Sequence, residues 1–321
     1  MLRAMRLLAT VSRAEFLLPN LGSLIMGLAW GANPPIGAVD FVVLVALAFT
    51  IINLSSAIGA QVNTISDYEL DTKDDRKKQL VEAMNGFGQS RLKFLLIVEF
   101  LFCLVLVFLF MFVQGKPILL IMWLAGISLG CAYSGSPFRI KARSWLAPVT
   151  LILVLAVLPV MFAYYTFASV WNLFFLVAVV GLALTVYGVI IPTEIRDYFG
   201  DKAMGIETMT VRLGLVKASL LSMILLAMGG ALIGTAFFLE LIYGSYPLLS
   251  VFVLAIVIAD VIALRKFKKL YSLSKEHEDS QGQSSIAQNI VDLSAHNPQW
   301  IVLVTQTYSL LSIVLLLSRF L

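Results

Sequence analysis

Charge is scarce in this chain of 321 residues: 19 acidic and 23 basic side chains make up 13% of it, while 60% of the residues are hydrophobic. So little polar surface cannot cover a water-soluble domain of this length. Cysteine and histidine are almost missing, with two of each. Cys103 and Cys131 fall inside apolar runs and offer neither a metal-binding spacing nor a disulfide framework. His277 and His296 stand in a polar stretch far along the chain from any acidic motif, so a histidine-based metal centre has no support. The longest polar stretches, residues 63–93 and 265–299, are too short to bury cores of their own. What fills the chain is a series of apolar runs, each about twenty residues long, the length that crosses a bilayer as a helix.

These runs predict an all-α, polytopic membrane bundle of about nine transmembrane helices in a single domain, residues 1–321. The spans are 16–30, 41–62, 94–113, 118–133, 146–167, 173–191, 218–239, 248–264 and 300–317. Basic residues alternate with this count. All 23 cations except Lys116 and Arg319 fall on the N-terminus or in the loops that an alternating chain places on one side, and short cytoplasmic loops carry the excess of Lys and Arg. The N-terminus and the active face are therefore expected in the cytoplasm and the C-terminus outside, in the cell membrane. The net charge of +4 is explained by this distribution and gives no sign of nucleic-acid binding. Residues 1–15, with Arg3, Arg6 and Arg13 among Leu2, Leu7, Leu8 and Val11, read as an amphipathic helix on the inner surface. Residues 265–299 read as a cytoplasmic loop.

Two acidic motifs stand out against this background. Asp67-Tyr-Glu-Leu-Asp71 and Asp197-Tyr-Phe-Gly-Asp201 lie 130 positions apart, each just after an apolar run. A spacing of four points both carboxylates of a pair the same way on a helix. Asn63 and Thr193 stand one turn earlier in the two copies, so the match is a duplication in register. It implies two four-helix repeats, 16–133 and 146–264, with a ninth helix added. Both repeats run the same way, which brings the two pairs to one mouth above an apolar cavity between them. Carboxylates at a membrane boundary are costly without a partner. Mg²⁺ fits this need, because it is held through one or two carboxylates, its own waters and the phosphates of a substrate. Glu194 is a supporting contact, and Glu69 is secondary.

At these residues the chain resembles the UbiA-type intramembrane prenyltransferases. Asn63, Asp67 and Asp71 match that family's Asn-x-x-x-Asp-x-x-x-Asp motif, and Asp197 and Asp201 its second Asp-x-x-x-Asp. Lys202, Gly205, Thr208, Arg212 and Gly214 are similar to the usual continuation of the second motif. Tyr133-Ser-Gly-Ser-Pro-Phe-Arg-Ile-Lys141 is similar to the family's loop between the fourth and fifth spans. The resemblance runs from about the first span to the eighth. One departure is clear: many members place Arg-Pro after the first motif where this chain has Lys78 and Gln79. The second motif, with Arg196 directly before Asp197, is closer to the menaquinone-forming naphthoate prenyltransferases than to the haem-farnesylating branch.

The resemblance implies an enzyme that transfers a prenyl group from an allylic prenyl diphosphate to a lipid-soluble, aromatic acceptor, as in quinone biosynthesis. Asp67, Asp71, Asp197 and Asp201 would be the catalytic, Mg²⁺-binding residues. Asn63, Tyr133 and Glu194 would contact substrate. Lys78, Lys141 and Arg143 are the candidate phosphate contacts, with Arg139 a further one, and the rings of Tyr133 and Tyr187 are placed to steady a carbocation. The prenyl tail is expected to run into the apolar chamber and out between helices toward lipid. A secondary transporter is the alternative reading of a duplicated bundle. Transporter sites lie near the bilayer midplane, whereas both acidic pairs here lie at the ends of their spans.

Overall fold

The computed structural model describes residues 2–32, 37–73, 77–143, 145–244, 246–280, 283–296 and 298–319. Every regular element among them is helical: α1 (Leu2–Val11), α2 (Leu17–Gly31), α3 (Ala38–Asp71), α4 (Lys78–Phe87), α5 (Gln89–Gln114), α6 (Pro117–Ser134), α7 (Leu146–Ile152), α8 (Leu158–Phe167), α9 (Leu173–Ala203), α10 (Met209–Leu213), α11 (Leu215–Tyr243), α12 (Leu254–Asp279), α13 (Ser284–Ala295) and α14 (Pro298–Ser318). Seven stretches among the described residues are long and apolar enough to cross a membrane, from Val39–Asp71 to Pro247–Asp279. The first and ninth expected spans are the shorter helices: α2 has 15 residues, and the apolar part of α14 is Leu303–Ser318. Both are packed into the bundle, α2 lying between α8 and α14.

One expectation is corrected at the polar end of the bundle. Residues 265–299 are not a loop: α12 continues to Asp279 and α13 follows at Ser284–Ala295. The reason is a helical spacing hidden in a polar composition. Phe267, Leu270 and Ser274 are buried along one face of α12, and Ile286 and Ile290 of α13 pack with Ile195 and Tyr198 of α9. Gln281 and Gly282 lie outside the described residues, as does Arg76, one of the loop cations.

Helices approach closely where glycine removes the side chain. On α2, a methyl group at Gly27 would run into the Val160 carbonyl of α8, and one at Gly31 into the Tyr164 carbonyl. This small-x-x-x-small spacing lets two backbones pack by contact alone, as bilayer interiors require. The same device joins α9 to α11, where a methyl at Gly181 would lie 2.7 Å from the Gly229 carbonyl.

Prolines open two of the long helices, and the freed polar groups are recaptured. Pro192 within α9 has no amide to offer the Gly188 carbonyl; the Ser222 hydroxyl of α11 donates to it instead. Pro159, at the start of α8, follows a π-helical turn at Leu153–Val157 that joins α7 to α8. At the end of the bundle away from the acidic pairs, Lys116 and Arg319 are built into the fold. The Lys116 ammonium donates to the carbonyls of Tyr165 (3.0 Å) and Ala168 (2.9 Å) at the end of α8. Arg319 donates to the carbonyls of Ala29, Trp30 and Ala32 at 2.9–3.0 Å, closing the end of α2. Its other nitrogen pairs with Glu240 at 2.7 Å, and Glu240 also accepts from Asn172, the residue that caps α9. Four helices thus meet at one guanidinium.

Removing one member of such a half-buried pair leaves the other without compensation. Arg319→Met should lower stability by about 3–5 kcal/mol, read as thermal unfolding in detergent, and Arg319→Met with Glu240→Gln should recover part of the loss. Equal losses in the single and double variants would show that the pair itself contributes nothing.

Candidate active site

The first acidic pair ends a helix longer than a bilayer is thick. At 34 residues, α3 is about 50 Å long against a hydrocarbon core of about 30 Å, so it carries Asp67 and Asp71 out to a boundary. Both carboxylates are largely covered, their side chains 13% exposed, and both are met by cations. The Lys141 ammonium donates to Asp67, with the Arg139 guanidinium 3.8 Å from the same oxygen. Lys77 lies 3.8 Å from Asp71. Burial pushes the Lys141 ammonium below the ordinary lysine range, and the hydrogen bond and charge of Asp67 oppose that shift.

The second pair is arranged in the same way at the end of α9. Arg196 folds back on its own neighbour, its guanidinium donating twice to Asp197 at 3.1 Å. Asp201 follows one turn later. Glu194 accepts a hydrogen bond from the buried Thr210 at 2.7 Å. The segment between them explains the residues that follow the motif. Gly205 (φ +69°) and Gly214 (φ +80°) take left-handed conformations that favour glycine, and the Thr208 hydroxyl caps α10 by accepting from the Val211 amide at 3.3 Å. These residues form a scaffold that delivers Thr210 to Glu194. Tyr133 of α6 lies near both Glu194 of α9 and Asp67 of α3.

A cavity of about 320 Å³ descends from this mouth into the bundle. Arg13, Asn63, Tyr133 and Ser134 line its upper end, and Ser134 donates to Asn63. Its walls come from α2, α3, α6 and the α7–α8 helix. The expected chamber between the two repeats is therefore displaced toward the first repeat and the fifth span. Tyr187, expected to face it, is packed instead among Ile191, Ile195 and Leu215, because that face of α9 meets α11 and α13. The deep end of the cavity is lined by Ile51, Trp123 and Phe162.

Two cations at the mouth, Lys77 and Arg13, escaped the sequence reading, and two expected ones are exposed. Lys78 begins α4 and is exposed, as is Arg143; Lys77 faces Asp71 in its place. Adjacent residues entering a helix point in different directions, so a motif count cannot choose between them. Arg13 lines the cavity because α1 is tied down just before it: Thr64 donates to the Val11 carbonyl at 3.2 Å and Gln61 to the Ser12 hydroxyl at 2.9 Å. Arg13 and Arg139 are the two non-glycine residues with positive φ among those described, at 53° and 39°, and both are at the mouth. Strained backbone of this kind persists where the surroundings hold it, often at functional sites.

Among the described residues, no three acidic, histidine or cysteine side chains form a ready metal cage. The donors come as carboxylate pairs. That arrangement fits a hard cation completing its shell with water and phosphate oxygens, as Mg²⁺ does.

Comparison with known proteins agrees with this geometry. No curated protein matches the chain in sequence. A UbiA homologue from Archaeoglobus fulgidus, solved bound to GPP and Mg²⁺, is 16% identical with a TM-score of 0.61, over 94% of this chain and 99% of its own. A digeranylgeranylglyceryl phosphate synthase is 16% identical with a TM-score of 0.64, over 97% and 99%. A UbiA homologue from Aeropyrum pernix K1, solved without ligand, is 15% identical with a TM-score of 0.62, over 94% and 98%. At these identities the likeness establishes the fold. The sequence profile of the UbiA prenyltransferase family matches residues 18–275, most of the chain, and the chain belongs to that family.

Proposed function

We propose that this prenyltransferase moves a prenyl group from an allylic prenyl diphosphate to a lipid-soluble aromatic acceptor, a step of quinone or related lipid biosynthesis, with Mg²⁺ at Asp67, Asp71, Asp197 and Asp201. The observation that carries this reading is a cation-flanked carboxylate pair that begins one turn beyond Asn63 at the top of an apolar cavity, repeated in register by a second pair at the end of α9. An ordinary apolar pocket has no need of four aspartates, and an ordinary metal site has no need of a hydrocarbon chamber. The GPP and Mg²⁺ bound by the Archaeoglobus fulgidus homologue support the same assignment.

In this reading Mg²⁺ supplies charge neutralisation, without which the aspartates and the diphosphate would repel each other. Lys77, Lys141 and Arg139, which stand beside Asp71 and Asp67, and Arg13 at the cavity hold and orient the diphosphate, with Lys78 and Arg143 as further candidates. As the allylic C–O bond breaks, its electron pair leaves with the diphosphate, and the surrounding cations stabilise the added charge. The Tyr133 ring, with Asn63 beside it, faces the allylic carbocation. The acceptor carbon then bonds to it, and the proton that this carbon loses passes to the released diphosphate. Glu194, held by the Thr210 hydroxyl, stands near Tyr133. The apolar walls exclude water, which would otherwise capture the cation as an alcohol. The excess of cations in the loops at this end supports a cytoplasmic mouth in the cell membrane, with the N-terminus on the same side and the C-terminus outside.

Asp67→Asn and Asp197→Asn should each reduce turnover by at least about 100-fold, the scale of a lost transition-state contact, while the detergent size-exclusion profile is unchanged. Glu69→Gln, at an exposed position, should stay within a few-fold. Equal losses in all three would sink the assignment. Calorimetry with a prenyl thiodiphosphate adds a binding test: affinity should collapse in EDTA and return with Mg²⁺, and unchanged affinity in EDTA would refute a shared metal site.

Lys141 gives the site a predicted pH dependence. Its ammonium loses its proton as pH rises through a value below the ordinary lysine range, so diphosphate affinity should fall in that window. Lys141→Arg should keep its affinity there, because the guanidinium stays protonated. Matching alkaline profiles for the two proteins would exclude Lys141 as the titrating contact.

A further inference from the structure

We infer that Glu99 of α5 is a positioning residue for the diphosphate site, acting through the Gln61 amide and the Ser12 hydroxyl to hold Arg13 at the top of the cavity. The inference rests on the proposed binding of a diphosphate at this end of the bundle, and it gives a role to a carboxyl group that the proposed mechanism does not use.

Glu99 stands against its surroundings. It is the one charged side chain between Phe94 and Val113, in the apolar run that makes up most of α5. A carboxyl group in such a run is costly and needs a partner. That partner is Gln61 of α3, whose Nε2 donates to the Glu99 Oε2 at 2.7 Å. Gln61 is fully buried, and the same nitrogen donates to the Ser12 hydroxyl at 2.9 Å, so both N–H bonds of the amide are in use. The amide oxygen is buried without a partner among the described residues.

The chemistry of the three groups gives this relay its direction. A glutamine amide can turn either its NH₂ or its oxygen toward a neighbour, whereas a carboxylate only accepts. Turned over, the Gln61 amide would set oxygen against oxygen at Glu99. Glu99 therefore selects the orientation in which the NH₂ serves both itself and Ser12, and the unpartnered oxygen is what that orientation costs. Without Glu99, the amide is free to turn its oxygen toward a donor and release Ser12.

The far end of the relay is the turn that presents Arg13. α1 ends at Val11, and Arg13 takes a left-handed conformation with φ 53°, which a residue other than glycine keeps only where its surroundings hold it. Two bonds from α3 do so, both to the residues directly before it: Thr64 to the Val11 carbonyl at 3.2 Å, and Gln61 to Ser12. Held in this way, Arg13 lines the cavity, as Asn63 does, and lies near Asp71. Gln61 and Thr64 stand on the same helix as Asp67 and Asp71, so the relay ties the cation to the element that carries the first acidic pair.

Calorimetry of the full chain in detergent, with Mg²⁺ and a ten-carbon prenyl thiodiphosphate, tests the relay without requiring the acceptor. Arg13→Gln should weaken binding about tenfold, the scale of one hydrogen bond to a charged group. Glu99→Leu should reproduce most of that loss, and Glu99→Gln, which keeps an acceptor for the Gln61 NH₂, should stay within about threefold of the unaltered protein. Coupling is the decisive readout: added to Arg13→Gln, Glu99→Leu should cost nothing further, because members of one network are not additive. A role in helix packing alone would make the two losses add. Ser12→Ala removes the acceptor next to Arg13 while leaving α5 intact, and should show the same loss and the same coupling even where Glu99→Leu does not fold. Unchanged affinity in Ser12→Ala or in folded Glu99→Leu, losses that add in full to that of Arg13→Gln, or an Arg13→Gln variant that binds as the unaltered protein does would each overturn the relay and leave the diphosphate site standing. Failure of the unaltered protein to bind the thiodiphosphate would overturn the prenyl diphosphate reading itself.

Discussion

Hydrocarbon offers no hydrogen bonds, so every polar atom this bundle carries into the membrane must find its partner within the protein. That constraint accounts for most of what is irregular in the fold. Pro192 frees the Gly188 carbonyl and Ser222 takes it. The last carbonyls of α2 and α8 have no further helix to bond to, and Arg319 and Lys116 close them. These two cations depart from the one-sided charge pattern, and both have structural work at the opposite end of the bundle.

The same constraint shapes the mouth. Asp67, Asp71 and Asp197 are each met by a cation, drawn from Lys141, Arg139, Lys77 and Arg196. Without ligand, the charges neutralise one another. Under the proposed function a metal would draw the carboxylates, and a diphosphate the ammonium and guanidinium groups. A site of this kind needs little net charge in its resting state, which lets it stand at a membrane boundary. The cavity below carries almost no charge. Arg13 is its one cationic lining residue, and it sits at the top.

Close helix packing explains how a cavity survives in a bundle otherwise filled with side chains. Gly27 and Gly31 draw α2 onto α8, and Gly181 and Gly229 draw α9 onto α11. Gly59 and Gly130 use the same lack of a side chain for the opposite purpose, with open space where those others have backbone. Which role a glycine takes depends on whether another helix is brought against it. A one-dimensional pattern cannot distinguish the two cases.

The chain by itself determined the all-helical membrane class, the alternation of its cations and the two acidic pairs, because hydrophobic runs, loop charges and an i, i+4 spacing are local properties. Motif and register alone single out Asp67, Asp71, Asp197, Asp201, Asn63, Tyr133, Lys141 and Glu194 as site candidates. Tertiary structure decided the rest. It selected Lys77 over Lys78 through the direction in which α4 begins, and brought in Arg13 through hydrogen bonds from Thr64 and Gln61. It made residues 265–279 and 284–295 helical by giving Phe267, Leu270 and Ile290 a surface to bury against, and it packed Tyr187 into the cluster around Ile191 and Ile195. Each of these depends on which helix lies beside which, and the energy of such contacts exists only once residues distant in sequence have met.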